Sequence, residues 1–256
     1  MTDQQTSNET AELPQPMWNE EESERFITLG RVYTPRRDEI LETFLDLIPA
    51  EPDESFTGVE LGTGAGWLTE GILRRFPRAR AIGLDGSEAM RQTTARLLAP
   101  FGDRFEVRPF RLEEQAWRDE LPGGLRAIVS SLVIHHLDGP GKRELFKELH
   151  ARLEPGGALL ICDVMLAANE PGRRAWANAW DTEVERQSLD LLGDRSAFEA
   201  FQADEWNMYA YPTGEDDIDH PSTLIEQLGW LEVAGFSGID AWWVRAGHAL
   251  FGGYKA

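Results

Sequence analysis

The chain has 256 residues, 41% of them hydrophobic, and its 25 Lys and Arg against 45 Asp and Glu give a formal net charge of −20. This length and apolar content predict one packed domain, or one domain with an insertion. The acidic balance argues against nucleic acid, because phosphate binding needs clustered Lys and Arg, and against an anionic membrane surface. The single cysteine, Cys162, excludes an internal disulfide.

The N-terminal segment predicts a disordered tail followed by a helical cap. Residues 1–16 are polar and acidic and lack the basic and apolar stretches of a signal peptide. No run approaches the roughly 18 apolar residues of a membrane span, so a cytoplasmic protein is expected. Residues 17–54 are assigned to the cap, with a short helix over 20–29 and a second helix with Thr34 as N-cap and Pro35 as its first residue.

Strands and helices alternate from residue 55 to residue 164. Short apolar runs bounded by turn residues are followed by segments with apolar residues at helical spacing. Such βα units with short connections predict a parallel sheet covered on both faces. Strands are expected at 56–61, 79–84, 105–110, 127–134 and 158–164, and helices at 67–75, 87–98 and 141–153.

The alternation stops after Val164. Residues 169–210 look helical and are rich in aromatic side chains, and this is too long for a βα connection, so about 166–215 is assigned as a helical insertion. Its aromatic residues could form ordinary core or a lid that encloses a substrate, with 206–211 as the lid candidates. A helix at 223–234 and a hairpin of strands 239–244 and 248–254 complete one domain over 55–256.

A glycine loop follows the first predicted strand. The run from Glu60 to Gly66 alternates glycines between a strand and a helix, which lets the backbone turn sharply and approach a ligand. A dinucleotide fingerprint would need glycine at position 67, which is Trp67. Asp85 closes the second strand, where an acidic side chain can accept both hydroxyls of a ribose. Glu60, just before the loop, would meet a cation or an amine.

Together with the later strands, these residues resemble the class I S-adenosylmethionine-dependent methyltransferase family over about residues 55–165. The family's fourth strand, with its Ser-rich end and His-His-Leu, is similar to residues 129–137, and its turn before strand five is similar to 153–157. The resemblance implies an α/β, Rossmann-like fold with a seven-stranded, mostly parallel sheet of order 3-2-1-4-5-7-6. It also implies S-adenosyl-L-methionine as the cofactor. The N-terminal helical cap and the helical lid insertion are added to this fold.

The resemblance further implies a cofactor site. The glycines from Gly62 to Gly66 would line the methionine part, Asp85 would hold the ribose, and Gly86 and Met90 would lie near adenine. Tyr33 would face the cofactor from the cap, although packing at a helix end stays open for it. The full set expected to bind the cofactor is Tyr33, Glu60, Gly62, Thr63, Gly64, Gly66, Asp85, Gly86, Met90, Leu112, Glu113 and Ser130.

One position departs from the family pattern. Members commonly carry an acidic residue at the end of strand three that accepts the adenine amino group, and this chain has Arg111 there. The role would then pass to Glu113, to Glu114 or to the backbone of Leu112.

A histidine pair after the fourth strand is the candidate for proton transfer. Methyl transfer is an in-line displacement in which alignment supplies much of the rate. Hydroxyl and amine substrates must also lose a proton, which histidine can accept near neutral pH. In the implied sheet order Asp163, at the end of strand five, neighbours His135 and His136 and could orient an imidazole. His136 is favoured as the base, and ordinary packing is the alternative for either ring.

The acidic run with Asp217, Asp219 and His220 is interpreted as a solvated loop, and no metal is expected. The expected function is methyl transfer from S-adenosylmethionine to an O or N atom of a small, apolar or aromatic metabolite. The alternatives are a family member that binds the cofactor without methyl transfer, either a sulfonium-modifying enzyme or a non-catalytic binding protein. A small-molecule substrate is expected as partner, without nucleic acid or membrane, and a homodimer is left open.

Overall fold

One seven-stranded sheet organises the chain in this computed structural model, which describes residues 20–212 and 218–256. The strands are β1 (Thr57–Leu61), β2 (Arg80–Asp85), β3 (Phe105–Pro109), β4 (Leu125–Ser131), β5 (Leu153–Val164), β6 (Phe236–Arg245) and β7 (His248–Lys255). Their order is β3-β2-β1-β4-β5-β7-β6, with β7 antiparallel to both neighbours and the pairs from β3 to β5 parallel. The expected α/β, Rossmann-like class and the strand order 3-2-1-4-5-7-6 are therefore confirmed.

Helices cover both faces of the sheet. They are α1 (Glu20–Tyr33), α2 (Arg37–Leu47), α3 (Trp67–Arg75), α4 (Glu88–Leu98), α5 (Ala116–Glu120), α6 (Gly139–Arg152), α7 (Glu170–Leu192), α8 (Ser196–Ala203) and α9 (Leu224–Val233). Along β5, Leu159 and Ile161 join a core cluster with α6 and α9, whereas Leu160 and Cys162 join one with α2 and α3. With both faces buried, open space for a ligand is expected at the strand ends.

The second cap helix begins later than predicted. It starts at Arg37 rather than Pro35, because Arg36 adopts a left-handed conformation with φ 51° and its N–H donates to Gln187 Oε1 at 2.8 Å. The first cap helix extends to residue 33 instead of ending at 29. The start of α2 is therefore set by a contact with α7, far away in the sequence. By contrast, the bounds of α3 match the prediction.

The fourth strand is shorter than predicted, and the fifth is longer. β4 ends at Ser131 rather than at residue 134, because Leu132 has φ 58° and the chain then forms one turn of 3-10 helix over Ile134–His136. β5 begins at Leu153, before the predicted residue 158. The early turn after β4 carries the histidine pair out of the sheet at the carboxyl edge.

The cap helix α1 is attached to the beginning of α4. Glu20 accepts hydrogen bonds from Ser87 Oγ (2.8 Å) and from the N–H groups of Glu88 (2.8 Å) and Ala89 (3.1 Å). A carboxylate at a helix N-terminus satisfies free N–H groups and meets the positive end of the helix dipole. The predicted tail, 1–16, and residues 17–19 of the cap lie outside the described residues, and the division into tail, cap and domain stays a prediction.

Within the segment predicted as an insertion, α7 and α8 pack against the cap. Trp180 Nε1 donates a hydrogen bond to Tyr33 O at 2.8 Å, and the two side chains share a core cluster with Phe201. Residues 213–215 of this segment lie outside the described part of the chain. Over the described ranges, no helix combines the length and apolar character needed to span a membrane.

Candidate active site

A cavity of about 430 Å³ opens at the carboxyl ends of the parallel strands. The residues that line it follow or end β1 (Gly62 to Gly64), β2 (Asp85), β3 (Phe110), β4 (Ser131) and β5 (Val164). This is the edge where open α/β sheets bind ligands, and the volume is in the range of small-molecule pockets. Five strands thus contribute to one site.

The cap and the segment around α7 and α8 supply the other walls of the cavity. Aromatic and apolar side chains dominate these walls, namely those of Phe26, Ile27, Tyr33, Trp180, Trp206 and Met208. Tyr33 contacts Trp206 with the ring centroids 5.2 Å apart. Of the proposed lid residues, Trp206 and Met208 therefore line the cavity. Tyr209 instead packs in the core, where its hydroxyl donates to Gly247 O (2.7 Å).

The backbone of the glycine loop forms part of the cavity wall. Gly62 has φ 66°, and a Cβ there would collide with Val133. Gly64 has φ 53°, and a Cβ there would meet no atom within 4 Å although the residue lines the cavity. Its N–H donates to Asp85 Oδ2 at 2.7 Å. The loop is thus tied to the end of β2 while it leaves space for a ligand against its backbone.

Asp85, expected at the ribose of the cofactor, lines the cavity. Its Oδ1 accepts the N–H of Ser87 at 2.9 Å, and its Oδ2 accepts that of Gly64. Burial raises the pKa of Asp85 to about 6, although these hydrogen bonds favour the charged form. A carboxylate has further lone pairs to offer to hydroxyl groups of a ligand.

Glu60 lies beneath the loop and outside the lining of the cavity. Its Oε2 accepts hydrogen bonds from Thr63 Oγ1 (3.0 Å), from the Thr69 N–H (3.1 Å) and from Thr69 Oγ1, whereas Oε1 is buried without a hydrogen-bond partner among the described residues. Burial raises the pKa of Glu60 to about 8. In this structure Glu60 therefore holds the loop to the start of α3.

Two other residues expected at the cofactor are not in the lining. A Cβ on Gly66 would lie 3.1 Å from Thr94 Oγ1, so this glycine allows α4 to approach the loop. The Ser130 hydroxyl is buried and donates to Leu61 O at 3.2 Å, and the next residue, Ser131, faces the cavity instead. Neighbouring residues of a strand face opposite sides, so a shift of one position changes the side chain that reaches a ligand.

The part of the cavity beside β2 and β3 is lined by apolar and charged residues together. Gly86, Met90, Leu112 and Glu113, which were expected at the cofactor, line it together with Phe110 and Arg111. The Arg111 side chain is 53% exposed, and its Nε lies 3.9 Å from Glu114 Oε1. Of the two acidic residues considered for the adenine contact, Glu113 lines the cavity and Glu114 does not.

His135 is buried between two carboxylates. Its Nδ1 lies 2.6 Å from Asp163 Oδ1, its N–H donates to Asp163 Oδ2 at 2.9 Å, and its Nε2 lies 3.4 Å from Asp219 Oδ1. Burial alone would lower the pKa of His135, but Asp163 and Asp219 outweigh it and raise that pKa to about 10. His135 is therefore an imidazolium near neutral pH. Asp163 is not part of the cavity lining, and it contacts the lining residue His135.

His136 is the second imidazole of this cluster and is neutral. Its Nδ1 lies 3.0 Å from Asp219 Oδ1, and its ring centroid lies 4.1 Å from that of His135. Burial, followed by the charge on His135, lowers the pKa of His136 below its ordinary value of 6.5. Both rings line the cavity. The neutral ring is the one that can accept a proton.

The prediction of a solvated loop is wrong for Asp219, whose carboxylate lines the cavity between the two histidines. His220 does have an exposed side chain, and its N–H donates to His135 O at 2.7 Å. Asp217 lies outside the described residues. Side-chain atoms of His135, His136 and Asp219 that could coordinate a metal lie within 4.8 Å of one another. The absence of a metal stays a prediction.

The sequence around this site matches a known family model. Residues 59–159, which include the glycine loop, Asp85 and the histidine pair, match the family model for a methyltransferase domain. Over this part of the chain the protein is similar to the S-adenosylmethionine-dependent methyltransferases. Trans-aconitate 2-methyltransferase of Pseudomonas aeruginosa is 31% identical over 162 residues, which cover 63% of this chain and 50% of that protein. Ribosomal RNA small subunit methyltransferase H of Mycolicibacterium gilvum is 29% identical, covering 58% and 45%.

Solved methyltransferase structures share the fold. The O-methyltransferase family 2 protein of Planctomyces limnophilus in complex with apigenin has a TM-score of 0.57 at 21% identity, over 91% of this chain and 61% of that chain. PigF with SAH has a TM-score of 0.59 at 15% identity, over 92% and 59%. The chain thus spans about half the length of the curated relatives that it matches.

S-adenosylmethionine is the cofactor of this methyltransferase domain, and the residues of the site fit it. The open space at Gly64 leaves room against the loop backbone. The Asp85 carboxylate at the end of β2 suits ribose hydroxyls. Met90, Phe110 and Leu112 offer an apolar surface next to it for a purine ring.

Arg37 and Asp219 are among the charged residues of the cavity that sequence reasoning missed. Arg37 stands at the start of a helix, a position that is usually solvated, and the displaced start of α2 could not be foreseen. Asp219 is separated from His136 by the whole of α6 to α8. No local pattern marks either residue.

Proposed function

We propose that this methyltransferase transfers the methyl group of S-adenosylmethionine to an oxygen or nitrogen atom of a small apolar or aromatic molecule. One observation carries the proposal: a single cavity is lined both by the glycine loop with Asp85 and by the neutral imidazole of His136. The first group suits the cofactor, and the second suits a substrate that must lose a proton. The size of the enclosed space favours a small molecule over a nucleic acid.

The substrate is proposed to be neutral or cationic. Trp180, Trp206 and Phe26 provide apolar surface, and aromatic faces also attract cations. Carboxylates of Glu22, Glu205 and Asp219 line the cavity as well and would attract a cationic group, and the cationic side chains of Arg37 and Arg111 line the same cavity.

Bound cofactor supplies an electrophilic methyl group on a sulfonium. The residues of the chain then have to align the acceptor atom, exclude water and take up its proton. In the tautomer that keeps a proton on Nδ1, which faces Asp219 Oδ1 and Ile218 O, the Nε2 lone pair of His136 accepts the proton of the substrate. His135 stays an imidazolium between Asp163 and Asp219, so it fixes Asp219 in place and does not compete as a base.

The test has a binding step and a transfer step. Calorimetry should show micromolar affinity for S-adenosylmethionine and S-adenosylhomocysteine and none for NAD. Mass spectrometry should then follow transfer of a deuterated methyl group to a panel of phenols, aromatic amines, trans-aconitate and a short ribosomal RNA. Labelling of a phenol or amine supports the proposal. Labelling of the RNA or of trans-aconitate alone would replace it, and binding without transfer to any acceptor would favour a non-catalytic binding protein.

A further inference from the structure

Lys142 is a buried cation on α6 that lies outside the lining of the cavity. Only 1% of the residue is exposed. Its Nζ donates a hydrogen bond to Ser222 Oγ at 2.9 Å and another to His220 O. Burial lowers the pKa of Lys142 to about 8, so the side chain is still an ammonium at pH 7. A buried charge is costly unless it is hydrogen-bonded, and both of these contacts go to one short segment of the chain.

That segment, residues 218–222, forms the wall of the cavity next to the histidine pair. Ile218 and Asp219 line the cavity, and Asp219 Oδ1 lies 3.0 Å from His136 Nδ1. The segment contains neither helix nor strand. Because no regular backbone pattern fixes its course, contacts with other elements have to hold it in place.

Lys142 supplies contacts that the backbone of the segment does not provide. The His220 N–H donates to His135 O at 2.7 Å, which attaches the segment to the turn after β4. The next residue, Pro221, has no N–H to donate. The Lys142 ammonium reaches across this proline and binds the residues on both sides of it, His220 and Ser222. The residue that precedes His220 is therefore held from two directions.

The residue held in this way is Asp219, which lies against both imidazoles. Its Oδ1 lies 3.4 Å from His135 Nε2 in addition to its contact with His136. A carboxylate next to an imidazole favours the protonated form and so makes the neutral ring a stronger base. We propose that Lys142 is a positioning residue for methyl transfer, which holds the segment 218–222 so that Asp219 stays against His136. The inference rests on the proposed role of His136 as the base.

An NMR titration of the His136 imidazole in Lys142→Met tests the position of Asp219 without any substrate. The substitution keeps an unbranched apolar side chain and removes the ammonium. If Asp219 moves away, the imidazolium loses a nearby carboxylate and the pKa of His136 falls. If Lys142 acted through its charge alone, loss of that charge would raise the pKa of His136. The direction of the shift therefore separates positioning from a direct effect of charge.

Turnover of a phenol or amine that the wild type methylates gives a second readout. Lys142→Met should lower kcat about 10-fold, which is part of the roughly 10²–10⁴-fold that a general base contributes. Its affinity for S-adenosylhomocysteine, measured by calorimetry, should be unchanged. Asp219→Asn should lower kcat at least as much. The double variant should be no slower than Asp219→Asn alone, because both changes remove the same contact.

Two further variants separate this role from a general effect on folding. Ser222→Ala removes one of the two hydrogen bonds while Lys142 stays in place, so it should shift the pKa of His136 and kcat in the same direction by less. Lys147→Met is the matched control on the same helix. The Lys147 side chain is 54% exposed and its Nζ lies 3.4 Å from Glu144 Oε2. The same charge is lost there, and the wild-type pKa of His136 and the wild-type kcat should be kept.

A lower pKa of His136 in Lys142→Met and Ser222→Ala, with losses of kcat that do not add to that of Asp219→Asn, supports the inference. A raised or unchanged pKa, additive losses, or an equal loss of affinity for S-adenosylhomocysteine would overturn it. If Lys142→Met does not fold, Ser222→Ala decides by the same measurements. If the wild type methylates no acceptor, the proposed function fails, and the NMR titration still decides whether Lys142 holds Asp219 in place.

Discussion

The glycine loop and the histidine cluster (His135, His136, Asp163 and Asp219) lie at the same cavity, which all of the cluster except Asp163 lines, but they are held in different ways. The loop follows a single strand, and backbone geometry with the Gly64–Asp85 hydrogen bond fixes it. The cluster combines side chains that follow β4, end β5 and precede α9, and their charges hold it together. Cofactor binding should therefore respond to steric changes, whereas turnover should respond to charge and proton affinity.

The largest effect is expected from Gly64→Val. The new side chain would occupy the space where no atom lies within 4 Å of a Cβ, so calorimetry should detect no binding of S-adenosylhomocysteine. The fold should persist, with a cost of about 1–2 kcal/mol for a left-handed non-glycine residue. Gly64→Ala is the milder control, with weakened binding. Wild-type affinity in both variants would remove the loop from the cofactor site.

Glu60 links the loop to a pH-dependent stability. The pKa of Glu60 in the folded protein, about 8, lies above the value of 4.5 for an unperturbed glutamate, so the folded state binds this proton more tightly. The resulting stabilisation is complete below pH 4.5 and is lost as the pH rises through 8. Between pH 6 and 8 the wild type should lose about 2 kcal/mol of unfolding free energy relative to Glu60→Gln. Parallel denaturation curves for the two proteins over this range would contradict the assignment.

His136→Ala is expected to lower kcat at least tenfold, because general-base catalysis contributes about 10²–10⁴-fold where the proton transfer matters. The affinity for S-adenosylhomocysteine should stay the same, which separates the cluster from the loop. His220→Ala is a suitable control, since its side chain is exposed and its contact with His135 is made by the backbone. Wild-type turnover in His136→Ala would leave alignment as the main source of the rate.

The smallest effect is expected from a chelator. The charges of His135, Asp163 and Asp219 already lie against one another, so dialysis against EDTA should leave turnover and the unfolding temperature unchanged. Metal analysis of the purified protein provides the independent measurement. If activity were lost on dialysis and restored by zinc or another divalent ion, His135, His136 and Asp219 would form a metal site.

The difference between the two groups also explains what could be read from the sequence. The glycine loop and Asp85 each stand in a local pattern at the end of one strand, and both line the cavity. The strand order, which the family resemblance implies, agrees with the structure. Asp219 and Arg37 reach the cavity through contacts between distant segments, which no local pattern records. Neighbouring strand residues face opposite sides of the sheet, so an error of one residue decides whether Ser130 or Ser131 is expected to face the cavity.

The tryptophans of the cavity should make the intrinsic fluorescence of the protein sensitive to ligand binding. Trp67 lies under Arg37, and Trp180 and Trp206 line the walls formed by the cap and the helices α7 and α8. A ligand entering this space changes the polarity and the quenching around three indoles at once. Intrinsic emission should therefore follow binding without a label, and single Trp→Phe variants would show which wall each ligand touches.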